Sequence, residues 1–133
     1  MEYCPCGSNK NYSLCCGIFI NGPSLPPTPE ALMRSRYTAY TQANIGYIIK
    51  TMKGKATKHF DANTALNWAK KSKWLGLTII EASKVTDNDK KGFVEFIAEY
   101  ELNGKKQCLH ERSEFHRQKN NWYYVNGIHG DKT

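Results

Sequence analysis

The chain has 133 residues, of which 40% are hydrophobic, and its 19 Lys and Arg against 12 Asp and Glu give a net charge of +7. This size suits one compact domain with a small appendage, and the composition excludes a disordered or collagen-like chain. The basic excess is compatible with contact to RNA or the ribosome, although the lysines form no continuous stripe. No apolar run reaches the ~18 residues of a membrane span. The first residues lack the basic and apolar segments of a secretory signal, so we expect a cytoplasmic protein.

The sequence divides into three sections. Residues 1–20 contain four of the five cysteines and are interpreted as a cysteine-rich knuckle. Residues 21–28 include three prolines and are expected to form an extended linker. Residues 29–133 show helical patterns first and strand patterns afterwards, which predicts a larger α+β domain.

Three helices are expected at the start of this domain. Thr28 can cap the first helix, Pro29 suits its first position, and Glu30 complements its positive end. The expected ranges are 29–44, 45–52 with a stop before Gly54, and 64–73.

From residue 74 onwards apolar residues recur at every second position, which predicts four strands. Asn103-Gly104 indicates a tight hairpin, and Asn120-Asn121 is expected to make the next turn. The residues expected on one face are Leu75, Leu77 and Ile79, then Val94, Phe96, Ala98, Tyr100 and Leu102, then Leu109, Glu111, Ser113 and Phe115. Helices followed by such a meander predict an α+β fold in which the helices pack on one face of an antiparallel sheet.

The cysteines near the start carry the strongest chemical signal. Cys4 and Cys6 flank one proline, and Cys15 and Cys16 follow within thirteen residues. Four thiolates satisfy the tetrahedral preference of zinc and leave no open position for water, which predicts a structural ion. Two disulfides in so short a peptide are disfavoured in a reducing compartment, and the spacing does not match that of ferredoxin clusters. Cys108 stands alone and is expected to be an ordinary thiol.

Residues 4–16, CPCGSNKNYSLCC, resemble the SEC-C motif, a zinc knuckle found at the C-terminus of the translocation ATPase SecA. The match includes Cys-x-Cys-x-Ser, an aromatic residue at Tyr12 and the final Cys-Cys pair. The resemblance implies zinc binding and docking to another macromolecule, which in SecA is the chaperone SecB.

Residues 27–40, 74–77, 110–115 and 122–127 are similar to blocks of the YchJ-like family of uncharacterised bacterial proteins. This resemblance implies a nuclear transport factor 2-like fold, in which helices and a curved sheet form a cone. Many members carry a second SEC-C knuckle at the C-terminus. The sequence ends at Thr133 without one, which argues against docking through two knuckles.

A buried ion pair is predicted between helix and sheet. At about 100° per residue, Arg36 falls inside the apolar arc of the first helix. Glu111 shares its strand face with Leu109 and Phe115, so it should also point inward. A buried guanidinium requires a carboxylate, because an unpaired buried charge is costly. His110 should point to the opposite face. The ion pair could serve only to fix the packing, or it could form the floor of a ligand pocket whose expected residues are Arg36, Tyr40, Trp74, Tyr100 and Glu111.

Two functions remain open from the sequence. The leading hypothesis is a non-catalytic adaptor whose knuckle docks a protein or ribonucleoprotein partner. The alternative is a small-molecule binder or enzyme that uses the pocket of the cone, which the resemblance in fold allows but does not establish. An open pocket with converging polar groups would favour the alternative, and a pocket filled by Tyr40, Trp74 and Tyr100 would favour the adaptor.

Overall fold

The structure, a computed structural model, describes residues 3–129. A single 3-10 turn, Tyr12–Leu14, precedes five helices and a four-stranded sheet. The helices are α1 Gly17–Ile20, α2 Pro29–Thr41, α3 Ile45–Lys50, α4 Lys55–Lys58 and α5 Ala62–Lys71. The strands are β1 Lys73–Ala82, β2 Lys91–Leu102, β3 Lys105–Gln118 and β4 Asn121–His129. No helix in this part of the chain has the length and hydropathy needed to cross a bilayer.

The sheet is an antiparallel meander in the order β1-β2-β3-β4, and it confirms the predicted α+β class. At the β2–β3 hairpin, Asn103 and Gly104 both have positive φ, at 55° and 79°, as the sequence predicts. The prediction for the next turn is wrong by one residue. Lys119 and Asn120 take positive φ, at 50° and 69°, and Asn121 already begins β4.

Helix α2 begins as predicted and ends earlier. The Thr28 side chain accepts a hydrogen bond from the Ala31 amide at 3.1 Å, and Pro29 occupies the first helical position. The helix ends at Thr41 because Ala43 turns the chain with a φ of 54°, and Asn44 then caps α3. Gly54, with a φ of 66°, is the N-terminal cap of α4, a short helix that the sequence pattern does not reveal.

Strand β1 corrects the predicted face of Leu75. Its pairing with β2 shifts between Trp74 and Gly76, so one residue is bulged out of the two-residue alternation. Leu75 is therefore 46% exposed, whereas Trp74 and Leu77 pack against the core. A second shift lies between Ile79 and Glu81. Bulges of this kind are not visible in an apolar pattern, because the pattern assumes unbroken pairing.

Helix α2 is covered on more than one side. Its Leu32, Met33 and Tyr37 join the inner face of the sheet in the main core. Its Ala39 belongs to a second cluster, built with α3. The polar Ser35 and Thr38 are also fully buried, because α3 and the cysteine-rich segment cover the side of α2 that faces away from the sheet. Ser35 hydrogen-bonds the Tyr47 hydroxyl of α3 at 2.7 Å.

The linker also contacts the larger domain. Pro26 is buried, and the backbone oxygen of Pro27 accepts a hydrogen bond from the Trp122 indole at 3.2 Å. The division into residues 1–20, 21–28 and 29–133 stays a prediction. Residues 1–2 and 130–133 of that division lie outside the described residues.

Candidate metal centre and ligand cavity

The four clustered cysteines converge on one point. The sulfurs of Cys4, Cys6, Cys15 and Cys16 all lie within 4.8 Å of one another. All are free thiols, and the Cys6 and Cys15 sulfurs are 3.6 Å apart. This distance is too long for a disulfide, whereas a zinc ion with bonds of 2.3 Å places its tetrahedral sulfur ligands about 3.8 Å apart. The cluster therefore has the geometry of a site that could hold one metal ion.

The local backbone explains this convergence. The Cys4 amide donates to the Lys10 oxygen at 2.8 Å, which folds residues 4–10 into a closed loop. Gly7 takes a φ of 83° within that loop, a conformation that other residues rarely adopt. Asn11 caps the 3-10 turn, and the Cys15-Cys16 pair follows directly at the end of that turn.

The thiols of the cluster shift one another's pKa values. Hydrogen bonds from the Cys16 thiol and from Ser8 lower the pKa of Cys6 to about 4, although burial opposes this shift. The pKa of Cys16 is raised, first because its thiol donates to the Cys6 sulfur and second because it is buried. Only part of the cluster can ionise by itself, since neighbouring thiolates repel each other. A divalent cation would allow all four to ionise.

Helix α2 holds the cysteine-rich segment in place. Arg34 donates to the backbone oxygen of Cys6 at 2.7 Å, and the Gln42 amide donates to the Tyr12 hydroxyl at 2.9 Å. Between them, the Thr38 hydroxyl lies 3.6 Å from the Cys4 sulfur. This contact was not predicted from the sequence. Its signal is the spacing of Arg34, Thr38 and Gln42 at four-residue intervals, which also fits an ordinary solvent-facing stripe.

A cavity of about 390 Å³ lies between the helices and the inner face of the sheet. This volume is within the ~300–1,000 Å³ typical of small-molecule sites. The apolar walls consist of Met33, Phe96, Ala98 and Leu109, together with the aromatic residues Tyr37, Tyr40, Trp68 and Trp74. The polar end consists of Arg36, Glu111, Ser113 and Tyr124.

Arg36 and Glu111 both line the polar end of the cavity, and Tyr124 contacts each of them. The Arg36 guanidinium carbon lies 4.6 Å from the centre of the Tyr124 ring. The Tyr124 hydroxyl donates to Glu111 Oε2 at 3.2 Å, and Ser113 donates to the same oxygen at 2.6 Å. Arg36 Nη1 donates to the Ile48 oxygen at 2.9 Å and to Thr51 Oγ1 at 2.7 Å. Arg36 is thus hydrogen-bonded to α3 and to its C-terminal cap. The sequence predicted only the ion pair with Glu111 and not these contacts.

Burial is the largest cause of the pKa shifts of Arg36 and Tyr124. It lowers the pKa of Arg36, while the Tyr40 hydroxyl and Glu111 favour the charged form. Burial, followed by the charge of Glu111, raises the pKa of Tyr124, so this hydroxyl keeps its proton at neutral pH and acts as a donor.

Four of the five residues expected in a pocket line this cavity: Arg36, Tyr40, Trp74 and Glu111. The fifth, Tyr100, is not among the lining residues; its ring packs against Trp68 and Trp74, with centroids 5.4 Å away in both cases. Trp68 and Tyr124 were missed. The alternation in β4 places Trp122 and Tyr124 on one face, and that pattern was the available signal.

His110 lies on the other face of the sheet, as expected. Its ring nitrogen is 2.7 Å from Glu95 Oε2. Cys108, the fifth cysteine, is exposed.

Both the cysteine-rich segment and the larger domain match known protein families. Residues 3–18 match the SEC-C motif, and residues 28–127 match the family described as "YchJ, middle NTF2-like domain". The fold and the cysteine cluster therefore define a SEC-C protein with a nuclear transport factor 2-like domain. The chain belongs to the YchJ-like family, whose members include proteins designated UPF0225.

A UPF0225 protein of Serratia proteamaculans is 41% identical over 128 residues, which are 95% of this chain and 82% of the relative. The solution structure of RPA3114, a SEC-C motif containing protein from Rhodopseudomonas palustris, superimposes with a TM-score of 0.87 at 36% identity. That match covers 98% of this chain and 100% of the other. A SEC-C protein from Psychrobacter arcticus gives a TM-score of 0.77 at 26% identity, and the match covers 100% of this chain and 85% of the other.

Proposed function

We propose that the cysteine cluster binds one structural zinc ion, held by Cys4, Cys6, Cys15 and Cys16, and that the knuckle so formed docks a partner protein. The convergence of the four sulfurs supports the zinc assignment. Four thiolates complete a tetrahedron, so the ion would hold the chain together and would not activate water. X-ray fluorescence of purified protein tests the metal, and a one-to-one zinc content is expected.

One observation carries the docking role: the knuckle exposes large apolar side chains. Tyr3 is 74% exposed, Leu14 is 73% exposed, and Ile18 is 38% exposed. Leu14 and Ile18 also line an open groove between the knuckle and the start of α2, with Lys10 beside them. Exposed apolar side chains on a rigid support favour an apolar segment of a protein as the partner. This function requires no catalysis and agrees with a cytoplasmic location.

A pull-down with zinc-loaded protein tests docking. The same partner should be lost with Leu14→Ser, which keeps all four sulfurs, and with the double variant Cys15→Ser/Cys16→Ser. Leu25→Ser is the matched control, because Leu25 is 54% exposed in the linker. A partner retained by both knuckle variants would exclude docking. Binding that disappears with nuclease and weakens steeply with salt would instead indicate RNA or ribosome contact through the basic charge.

The open cavity supports a second function, the binding of a small molecule. Tyr40 and Trp74 form part of its wall and leave about 390 Å³ free, with converging polar groups at one end. An uncharged apolar dye, N-phenyl-1-naphthylamine, tests for binding by its fluorescence. We expect it to bind the wild-type chain and to lose affinity in Ala98→Leu, which narrows the cavity from β2. Equal binding by both proteins would place the dye elsewhere and exclude this function.

A further inference from the structure

The aromatic wall of the cavity determines the shape of ligand that fits. The rings of Tyr40, Trp68 and Trp74 pack on one another with centroids 5.0 to 6.0 Å apart, and Tyr37 packs edge-on against Trp74 at 5.8 Å. Three of these four contacts are edge-to-face, the Tyr40–Trp74 contact is tilted at 38°, and together they fix the rings relative to each other. A rigid aromatic wall favours a flat ring system, which stacks on it with little loss of conformational freedom.

The polar end offers a fixed donor to that ligand. Arg36 is 5% exposed, and both of its hydrogen bonds to described residues use Nη1. A guanidinium carries five N–H groups, so those on Nε and Nη2 stay available for an acceptor in the cavity that Arg36 lines. The hydrogen bonds to Ile48 and Thr51 fix the orientation of the guanidinium. A ligand acceptor would therefore bind a donor that is already oriented.

The charge balance selects an uncharged acceptor. Arg36 and Glu111 place one positive and one negative charge in the same cavity. Glu111 Oε2 accepts hydrogen bonds from both Ser113 and Tyr124. Among the described residues that line the cavity, Arg36 is the one cation, so a carboxylate ligand would add a negative charge that none of them balances. A carbonyl oxygen would accept from Arg36 and leave the balance of these charges unchanged.

We propose that the cavity binds a flat, uncharged aromatic carbonyl compound, with its rings against Trp68 and Trp74 and its oxygen bonded to Arg36. This inference rests on the small-molecule function proposed above and names the class of ligand for it. The apolar wall supplies most of the contact area, and Arg36 sets the orientation.

Three probes with one ring system and different head groups test the ligand class. They are 2-naphthamide, which is uncharged, 2-naphthoate, an anion, and 2-naphthylmethylammonium, a cation. Titration calorimetry and the fluorescence of Trp68 and Trp74 follow binding to the full chain. We expect 2-naphthamide to bind at least about tenfold more tightly than either ion, because each ion leaves a buried charge uncompensated.

Variants then locate the contact. Arg36→Met should weaken 2-naphthamide by about tenfold or more, since a hydrogen bond from a charged donor is lost. Arg112→Met is the matched control, because Arg112 stacks on Phe93 on the outer face, and its affinity should equal that of the wild-type chain. Ala98→Leu leaves every polar contact in place and should weaken all probes that enter the cavity, so the test does not depend on the folding of Arg36→Met.

The possible failures are distinct. Tighter binding of 2-naphthoate would overturn the charge argument and leave the cavity as a binding site. Absence of binding by all three probes at about 1 mM, a free energy near −4 kcal/mol, would overturn the ligand class if the dye still enters the wild-type cavity. Failure of Ala98→Leu to weaken the dye would overturn the binding function itself.

Discussion

Gly127 lies against the polar end of the cavity, and its missing side chain makes room for the carboxylate there. A Cβ at Gly127 would come within 2.6 Å of Glu111 Cδ and Oε2 and would also clash with the Tyr124 hydroxyl. Gly127→Ala should therefore lower the free energy of unfolding by about 1–3 kcal/mol, because these groups are held by hydrogen bonds. Gly76→Ala is the matched control, since a Cβ there meets nothing within 4 Å. Urea denaturation measures both, and equal stability of the two variants would contradict the packing.

The ionisation of Tyr37 should lower the free energy of unfolding at alkaline pH. Burial raises the pKa of Tyr37 to about 12, from the ordinary value near 10. The protonated hydroxyl is favoured in the folded state, so this stability is complete below pH 10 and is lost as the pH rises towards 12. The loss from this one group is at most about 1.4 kcal/mol for each pH unit. Urea midpoints at several pH values should fall less steeply in Tyr37→Phe than in the wild type. A parallel fall would contradict the assignment, and Tyr3→Phe, at an exposed position, serves as the control.

At the level of the elements, the start of α2 depends on one side chain. The Thr28 hydroxyl accepts from the Ala31 amide at 3.1 Å, which satisfies one of the free amides at the helix end. Thr28→Ala should cost about 1 kcal/mol of stability, and Thr28→Ser should recover most of it because the oxygen is kept. Thermal unfolding of the three proteins tests this order. Equal losses in both variants would show that the methyl group, and not the cap, stabilises this position.

Elements set by local chemistry were predicted well from the sequence. The cap at Thr28, the Asn103-Gly104 hairpin and the inward face of β3 depend on neighbouring residues, and the structure has all three. The exposed Leu75 and the one-residue error in the next turn have a different cause. They arise from how strands pair and bulge, and a single strand's sequence does not contain its partner's register.

In the candidate sites, too, features set by neighbouring residues were predictable and features set by distant contacts were not. The four cysteines are close in sequence, so their convergence was predictable from spacing alone. The hydrogen bonds of Arg36 to α3, and its contact with Tyr124, join residues far apart in the chain, so they depend on the packing of the whole molecule. The arc of α2 indicated only that Arg36 is buried, and burial requires partners without naming them.

At the scale of the whole molecule, α2 connects the knuckle with the cavity. One side of the helix holds the knuckle through Arg34 and Gln42, and another side supplies Arg36, Tyr37 and Tyr40 to the cavity. The main core between α2 and the sheet contains no knuckle residue, whereas Phe19 and Ile20 of the knuckle pack against the second core. Loss of the proposed zinc ion should therefore unfold the knuckle and weaken α2 without unfolding the sheet.

Metal removal tests this division. The buried hydrophobic side chains of the knuckle's own cluster are those of Cys4, Cys6 and Cys16, so the knuckle loses its interior once the sulfurs are released. A strong chelator should lower the midpoint of thermal unfolding and abolish amide exchange protection over residues 4–20, while protection in β2 and β3 persists. Added zinc should restore the midpoint in proportion to the logarithm of its free concentration, as expected for a ligand of the folded state. Cys108→Ser should respond like the wild type, because that thiol is exposed on the sheet, whereas Cys15→Ser/Cys16→Ser should be insensitive to chelator. If protection over the knuckle survives complete removal of metal, contacts with α2 alone hold the segment, and zinc has no structural role.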